Sequence, residues 1–230
     1  LIFLDNSLSI TEGNRGKIKK FLNTYLDEQL KQIDLFYAQE ADSENNMPPE
    51  DIETRTAYFL KENEGLYNWI TVTEPDGTSL RYEPGKEAVR EQAEEAIQQG
   101  KNQLPDQPSR IFGKAISGQT GWYELYIRKE ASSENGICIL TFAMNLETIY
   151  QKIIAPVKIG RDGYSSVKDQ NMCIIMHHAK DQIGLEAFDD RMKKYPELDL
   201  TSMNAWIKKQ AQDTSGTGVI DTYVWDDPGL

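Results

Sequence analysis

The apolar positions of the first forty residues recur at helical spacing. After Gly13 and Gly16 they fall at Ile18, Leu22, Tyr25, Leu26, Leu30, Ile33, Phe36 and Tyr37, in steps mostly of three and four. That is the stripe of an amphipathic helix. Lys19, Asp27, Glu28, Lys31 and Gln32 occupy the other face. The stretch therefore reads as one long helix. A polar break from Glu40 to Asp51 follows, centred on Pro48-Pro49. Pro48-Pro49-Glu50-Asp51 has the prolines and acids that suit a helix start, so Ile52 to Glu62 is predicted as a second, shorter helix.

At Leu66 the period changes to two. Leu66, Asn68, Ile70 and Val72 alternate with Tyr67, Trp69, Thr71 and Thr73. Glu74-Pro75-Asp76-Gly77 is a strong turn signal, and Thr78 to Tyr82 returns, which predicts a β-hairpin. Lys86 to Gln99 is rich in Glu and Gln and reads as an exposed helix stopped by Gly100. Three more strands are predicted over Arg110 to Ile116, Gly121 to Lys129 and Gly136 to Met144, with turns at Ser117 to Thr120 and Ala131 to Asn135. Leu146 to Ile154 reads as a short helix ended by Pro156. The second half begins the scheme again. A strand runs from Tyr164 to Lys168, a turn covers Asp169-Gln170-Asn171, and a return strand runs from Met172 to His178. Helices follow over Phe188 to Tyr195 and Met203 to Gln210, then a strand over Gly216 to Trp225. The pattern is α+β with antiparallel sheets. If the repeat holds, the last two strands of its second copy would fall beyond Leu230.

Two stretches carry a family resemblance. The first is Gly160-Arg161-Asp162-Gly163-Tyr164, Lys168-Asp169, and Ile174-Ile175-Met176-His177-His178 through Ile183-Gly184. The second is Gly121-Trp122-Tyr123-Glu124-Leu125-Tyr126 with Leu140-Thr141-Phe142-Ala143. Together with the long helix they resemble the double Cache sensor domain, the extracytoplasmic part of bacterial histidine kinases, diguanylate cyclases and chemoreceptors. The resemblance implies a long N-terminal helix followed by two PAS-like antiparallel-sheet modules. It divides the chain into a helical region over residues 1–62, a membrane-distal module over 63–155 and a partial membrane-proximal module over 156–230. The sequence departs from the family pattern in four places. Asp169-Gln170-Asn171-Met172 lacks the usual turn glycine, which leaves Asn171 as the residue suited to a left-handed backbone. Ala179 replaces the proline after the histidine. Arg128 occupies the position where many relatives carry a ligand-holding acid. Thr120 and Gly121 precede Trp122-Tyr123, so the arginine signature of the amino-acid-binding subset is absent.

Composition narrows the partners. The 230 residues hold 25 Lys and Arg against 37 Asp and Glu, a net charge of −12, which argues against a general nucleic-acid or anionic-membrane surface. Hydrophobic residues at 39% and charged residues at 27% fit a folded domain. No apolar run approaches the ~18 residues that span a bilayer. The chain opens at Leu1 with no basic and apolar leader, and so reads as a fragment whose flanking membrane helices lie outside it. Two cysteines, Cys138 and Cys173, exclude a disulfide scaffold. In the family layout they fall in different modules as buried thiols.

The strand from Trp122 to Lys129 has two faces. Tyr123, Leu125 and Ile127 form an apolar one, suited to the helix. Trp122, Glu124, Tyr126 and Arg128 form a mixed aromatic and charged one, which the family layout assigns to the ligand pocket. Arg128 could hold a carboxylate bidentately. Trp69, Arg81, Tyr82, Arg110 and Thr141 are candidates for the same pocket. An ordinary solvated sheet face is the alternative.

Other constellations carry less. His177 and His178 are adjacent, so on a strand they point to opposite faces and cannot share a metal ion. No glycine-framed serine accompanies them. Gly216-Thr217-Gly218 lacks the rest of a phosphate loop. Asp189-Asp190 and Asp226-Asp227 read as solvated turn residues. No cofactor and no metal is expected.

The sequence thus reads as a non-enzymatic, extracytoplasmic ligand-sensing domain of a membrane-bound bacterial receptor. A sensor histidine kinase is the first candidate parent, with a diguanylate cyclase, a chemoreceptor or a free-standing solute-binding protein as alternatives. The expected partner is a small polar molecule that can bear a carboxylate, with a homodimer contact through the N-terminal helix and no nucleic acid.

Overall fold

A computed structural model of the chain describes residues 3–6, 12–38, 51–91, 111–112, 116–117, 121–133, 135–157, 164–168 and 171–212. The architecture is α+β. The chain divides into two compact units, residues 23–118 with 123–149, and residues 1–22 with 119–122 and 150–230.

The first unit is a seven-stranded antiparallel sheet with helices against one face. Its strands are β2 (Tyr67–Thr73), β3 (Ser79–Tyr82), β4 (Val89–Glu91), β5 (Ile111–Phe112), β6 (Ile116–Ser117), β7 (Tyr123–Ser133) and β8 (Gly136–Asn145). Their order is β4-β3-β2-β8-β7-β5, with β6 also paired to β7. Helix α1 (Glu12–Ala38) gives this unit its later turns, in which Leu26, Gln29, Ile33 and Tyr37 are buried at helical spacing. Helix α2 (Ile52–Glu62) starts where its sequence predicts. Asp51 caps it by accepting a hydrogen bond from Thr54 N at 2.7 Å.

Tyr82, Ile70, Phe142 and Ile127 share one row of the sheet and face the helices. Phe142 packs edge-on against Tyr37 and Phe59, with centroids 5.8 and 5.7 Å apart. Lys129, also on this face of β7, is ion-paired to Asp34 on α1. The apolar face of β7 therefore meets the helix, as its alternation predicts.

The second unit holds a three-stranded antiparallel sheet of β1 (Phe3–Asn6), β9 (Ser165–Lys168) and β10 (Ile174–Met176), in the order β1-β9-β10. Helices α4 (Asp189–Lys194) and α5 (Thr201–Gln212) follow. Met172, Ala187 and Ile207 form a buried cluster with Phe188 and Met203 against it. Between the units in sequence, α3 (Leu146–Ile149) runs into a π-helical turn closed by the bond from Ala155 N to Tyr150 O at 2.8 Å.

Several sequence expectations are corrected. The first forty residues are not all helix, because Phe3–Asn6 pairs with β9. A strand read alone gives little signal when its partner lies far along the chain. The helix expected from Lys86 is replaced at Val89–Glu91 by an edge strand on β3, where ladder hydrogen bonds override helix propensity. Residues 92–100 lie outside the described residues, as does the strand expected over Gly216 to Trp225. Strand β7 continues to Ser133, past the turn expected from Ala131. The left-handed residue after β9 is Met172, at φ 62°, rather than Asn171.

Candidate functional site

The face of the seven-stranded sheet turned away from the helices carries polar and aromatic side chains in register. One row runs Trp69, Ala143, Tyr126. The next runs Arg81, Thr71, Thr141, Arg128. The Trp69 and Tyr126 rings lie 5.4 Å apart, and the Arg81 guanidinium sits 4.6 Å from the centre of the Trp69 ring, a cation–π contact. Arg81 is also ion-paired to Glu83 at 3.0 Å. Arg81 and Arg128 stand at the two ends of their row, three strand spacings of about 4.8 Å apart.

Glu124 is the anchor at the other end of the face. Its residue is only 5% exposed. The carboxylate accepts from Asn68 Nδ2 at 2.5 Å and from the Tyr126 hydroxyl at 3.1 Å. A buried carboxylate needs such donors, since leaving it bare is costly. Arg128 differs. It is half-buried, and among the described residues no carboxylate is paired with it.

Six of the nine residues expected from the sequence share this face: Trp69, Arg81, Glu124, Tyr126, Arg128 and Thr141. Two do not join it. Tyr82 is one position past Arg81 and lies in the helix-facing row. There burial and the Glu53 and Asp51 carboxylates of the α2 start push its phenol pKa well up. Trp122 falls in the other unit, ahead of β7, and its ring lies 5.6 Å from Tyr150. Gly121, at φ +79°, turns the chain before it, so strand alternation does not extend back to Trp122. Arg110 lies outside the described residues.

One member of the site escapes sequence reading. Alternation puts Asn68 with Ile70 on the helix side. The register of β2 on β8 slips by one residue between Tyr67 and Trp69. That is a β-bulge, and it places two successive side chains on one face. Asn68 thereby reaches Glu124, while Tyr67 stays with Phe59 and Phe142, at 5.6 and 5.7 Å. Nothing in the residue types announces the bulge.

Comparison of the sequence with family models and with curated proteins gives no match. Solved structures do match. The extracellular domain of the putative histidine kinase vpHK1S-Z8 aligns with 90% of this chain and 80% of its own length, at 14% identity and a TM-score of 0.59. A domain of a putative sensory box/GGDEF family protein from Vibrio parahaemolyticus aligns with 90% of this chain and 85% of its own, at 14% identity and a TM-score of 0.56. The chain has the fold of an extracellular sensory domain. The ligand-binding domain of the Campylobacter jejuni chemoreceptor Tlp3, solved with 4-methylisoleucine, aligns with 86% of this chain and 77% of its own, at 12% identity and a TM-score of 0.50. The resemblance to double Cache sensors read from the sequence holds at the level of fold.

Within this sensory fold the histidine pair is closer than strand geometry predicts. Both histidines follow the end of β10, so strand alternation does not apply to them. Their ring centroids are 4.6 Å apart, and Tyr164 contacts both. His177 is buried and His178 exposed. Asp190 accepts from Glu186 N at 3.2 Å in the first turn of α4, a local structural role. Cys138 is buried and Cys173 half-buried, and neither is in a disulfide.

Proposed function

We propose that this chain is the extracytoplasmic ligand-sensing domain of a membrane-bound bacterial receptor, in the first instance a sensor histidine kinase. The distal module is the seven-stranded unit, and its polar sheet face binds a small molecule bearing a carboxylate. Arg128 is the observation that carries this reading. A half-buried guanidinium on a face of aromatic and hydroxyl side chains, without a carboxylate of its own among the described residues, suits a bidentate acid ligand. Trp69, Tyr126 and Thr141 form the walls, and Glu124 with Asn68 can receive a donor on the ligand's other end. Because a guanidinium replaces the acid that many relatives carry, the favoured ligand is an organic acid rather than an amino acid. The domain senses and does not catalyse. Binding would favour one of two conformations, and the difference would reach an output domain elsewhere in the receptor. A diguanylate cyclase or a chemoreceptor parent is the second reading, favoured by the sensory box/GGDEF structure that aligns as fully as the kinase one.

The test is a thermal-shift screen of the purified chain against organic acids, amino acids, amines and sugars, followed by calorimetric titration of each hit. An organic acid should raise the melting temperature by mass action. Arg128→Ala should weaken it about ten- to hundredfold, the value of a charge-assisted hydrogen bond of ~1.5–3 kcal/mol. A hit that binds Arg128→Ala and Tyr126→Ala as tightly as the parent would remove this face from the proposal.

The same reading makes α1 a homodimer contact. Leu35 is 70% exposed, and its neighbour Phe36 stacks on the exposed Tyr58 with centroids 6.2 Å apart. Sedimentation of a Leu35→Glu variant checks it.

A further inference from the structure

Strand β7 carries two side chains of opposite charge on the polar face, Glu124 and Arg128, with Tyr126 between them. Four residues of strand set their Cα atoms about 13 Å apart, at ~3.3 Å per residue. They do not pair with each other. Among the described residues neither is paired with any other charge.

The Glu124 carboxylate is buried and met by neutral groups only. Its Oε1 accepts from Asn68 Nδ2 at 2.5 Å and its Oε2 from the Tyr126 hydroxyl at 3.1 Å. A carboxylate has about four lone-pair sites, so two remain for other donors. A glutamine amide in this place could accept from the same groups with no charge to desolvate. Burying an ion this far is costly unless an opposite charge meets it. The sheet alone therefore gives the charge of Glu124 no use, and a cation from outside the chain does.

At the other end Arg128 is half-buried, and no described residue engages its guanidinium. The floor between the two ends is aromatic. The Tyr126 ring lies 5.4 Å from that of Trp69, and Ala143, between them in the row, adds only a methyl group.

We propose that the ligand of this face is an extended ω-ammonium acid lying along β7, with its carboxylate on Arg128, its methylene chain over Tyr126 and Trp69, and its ammonium on Glu124. This rests on the reading of the face as an acid-binding one, and adds the length of the ligand and the charge at its far end. Side chains stand roughly perpendicular to a sheet. With a hydrogen bond of ~3 Å at each end, about 7 Å is left between the ligand's own charges. A chain of about four or five methylenes spans that distance. An α-amino acid, with both charged groups on one carbon, does not.

Calorimetric titration of the whole chain with 5-aminopentanoate and, separately, with pentanoate tests it. The ammonium-bearing acid should bind at least ~10-fold more tightly, the value of a charge-assisted hydrogen bond, and Glu124→Gln should remove that difference. Should Glu124→Gln not fold, the parent chain titrated with ω-amino acids from glycine to 8-aminooctanoate gives the same information, since affinity should peak at 5-aminopentanoate or 6-aminohexanoate. The proposal is overturned if pentanoate binds as tightly as 5-aminopentanoate, if the difference survives in folded Glu124→Gln, if glycine binds best, or if neither acid binds. Equal binding of the two acids, weakened in both by Arg128→Ala, would overturn the ammonium end alone and leave the face an acid-binding one.

Discussion

Asn68 shows how much a single side chain can decide. It donates to the buried Glu124 carboxylate at 2.5 Å, and the only other described donor to that carboxylate is Tyr126. Asn68→Ala should therefore cost about 1–3 kcal/mol, the price of under-satisfying a buried charged acceptor. Urea denaturation read by tryptophan fluorescence measures this. Asn68→Asp should be worse, because two carboxylates would then share one desolvated site. If both variants unfold with the parent's midpoint, water rather than Asn68 is satisfying Glu124.

At the scale of elements, legibility followed locality. Helix α2 could be read because its start is written in consecutive residues, with prolines and Asp51 ahead of an amphipathic run. The hairpin of β2 and β3 could be read for the same reason: Gly77 takes φ +87° in the turn, and its N–H bonds to Glu74 O at 2.9 Å. Strands β1 and β4 could not, since what makes them strands is a partner elsewhere in the chain. The site was legible where strand alternation held, at Trp69, Arg81, Glu124, Tyr126, Arg128 and Thr141. It failed at the bulge, at the bend before β7 and at the count of residues that puts Tyr82 on the helix face. Helix α1 carries a prediction of its own. Its stripe of Leu26, Gln29, Ile33 and Tyr37 is used inside the unit, so Leu35 on another side is available to a second copy. Leu35→Glu should leave stability within about 0.5 kcal/mol, as exposed substitutions do, while raising the dimer dissociation constant about tenfold or more in sedimentation velocity. Unchanged association would remove α1 from the dimer contact.

The whole molecule should respond to pH through His177. Burial holds its folded pKa at about 3, below the ordinary value of 6.5, so the unfolded chain binds the proton more readily. The contribution of the neutral ring is complete above pH ~6.5 and is lost as pH falls from there toward the folded value. The full loss is on the order of several kcal/mol, at 1.36 kcal/mol per pK unit. Thermal melts between pH 7.5 and 4.5 should show a falling midpoint in the parent and a flatter profile in His177→Phe, which cannot take the proton. Equal slopes would mean that His177 is not held neutral by its surroundings. Acids elsewhere in a chain of net charge −12 titrate mostly below that window and contribute at its lower end.

The slipped residue in β2 has a bearing on how such a domain can change over generations. A bulge adds one side chain to one face and leaves the alternation on either side intact. Losing Asn68 outright would let Tyr67 and Trp69 follow each other regularly, each keeping the side it already has, with the aromatic core against Phe59 undisturbed. The cost would fall on Glu124 alone. A lineage could therefore gain or drop this donor by an insertion or deletion of one codon, and so alter what the polar face accepts without renegotiating the interior.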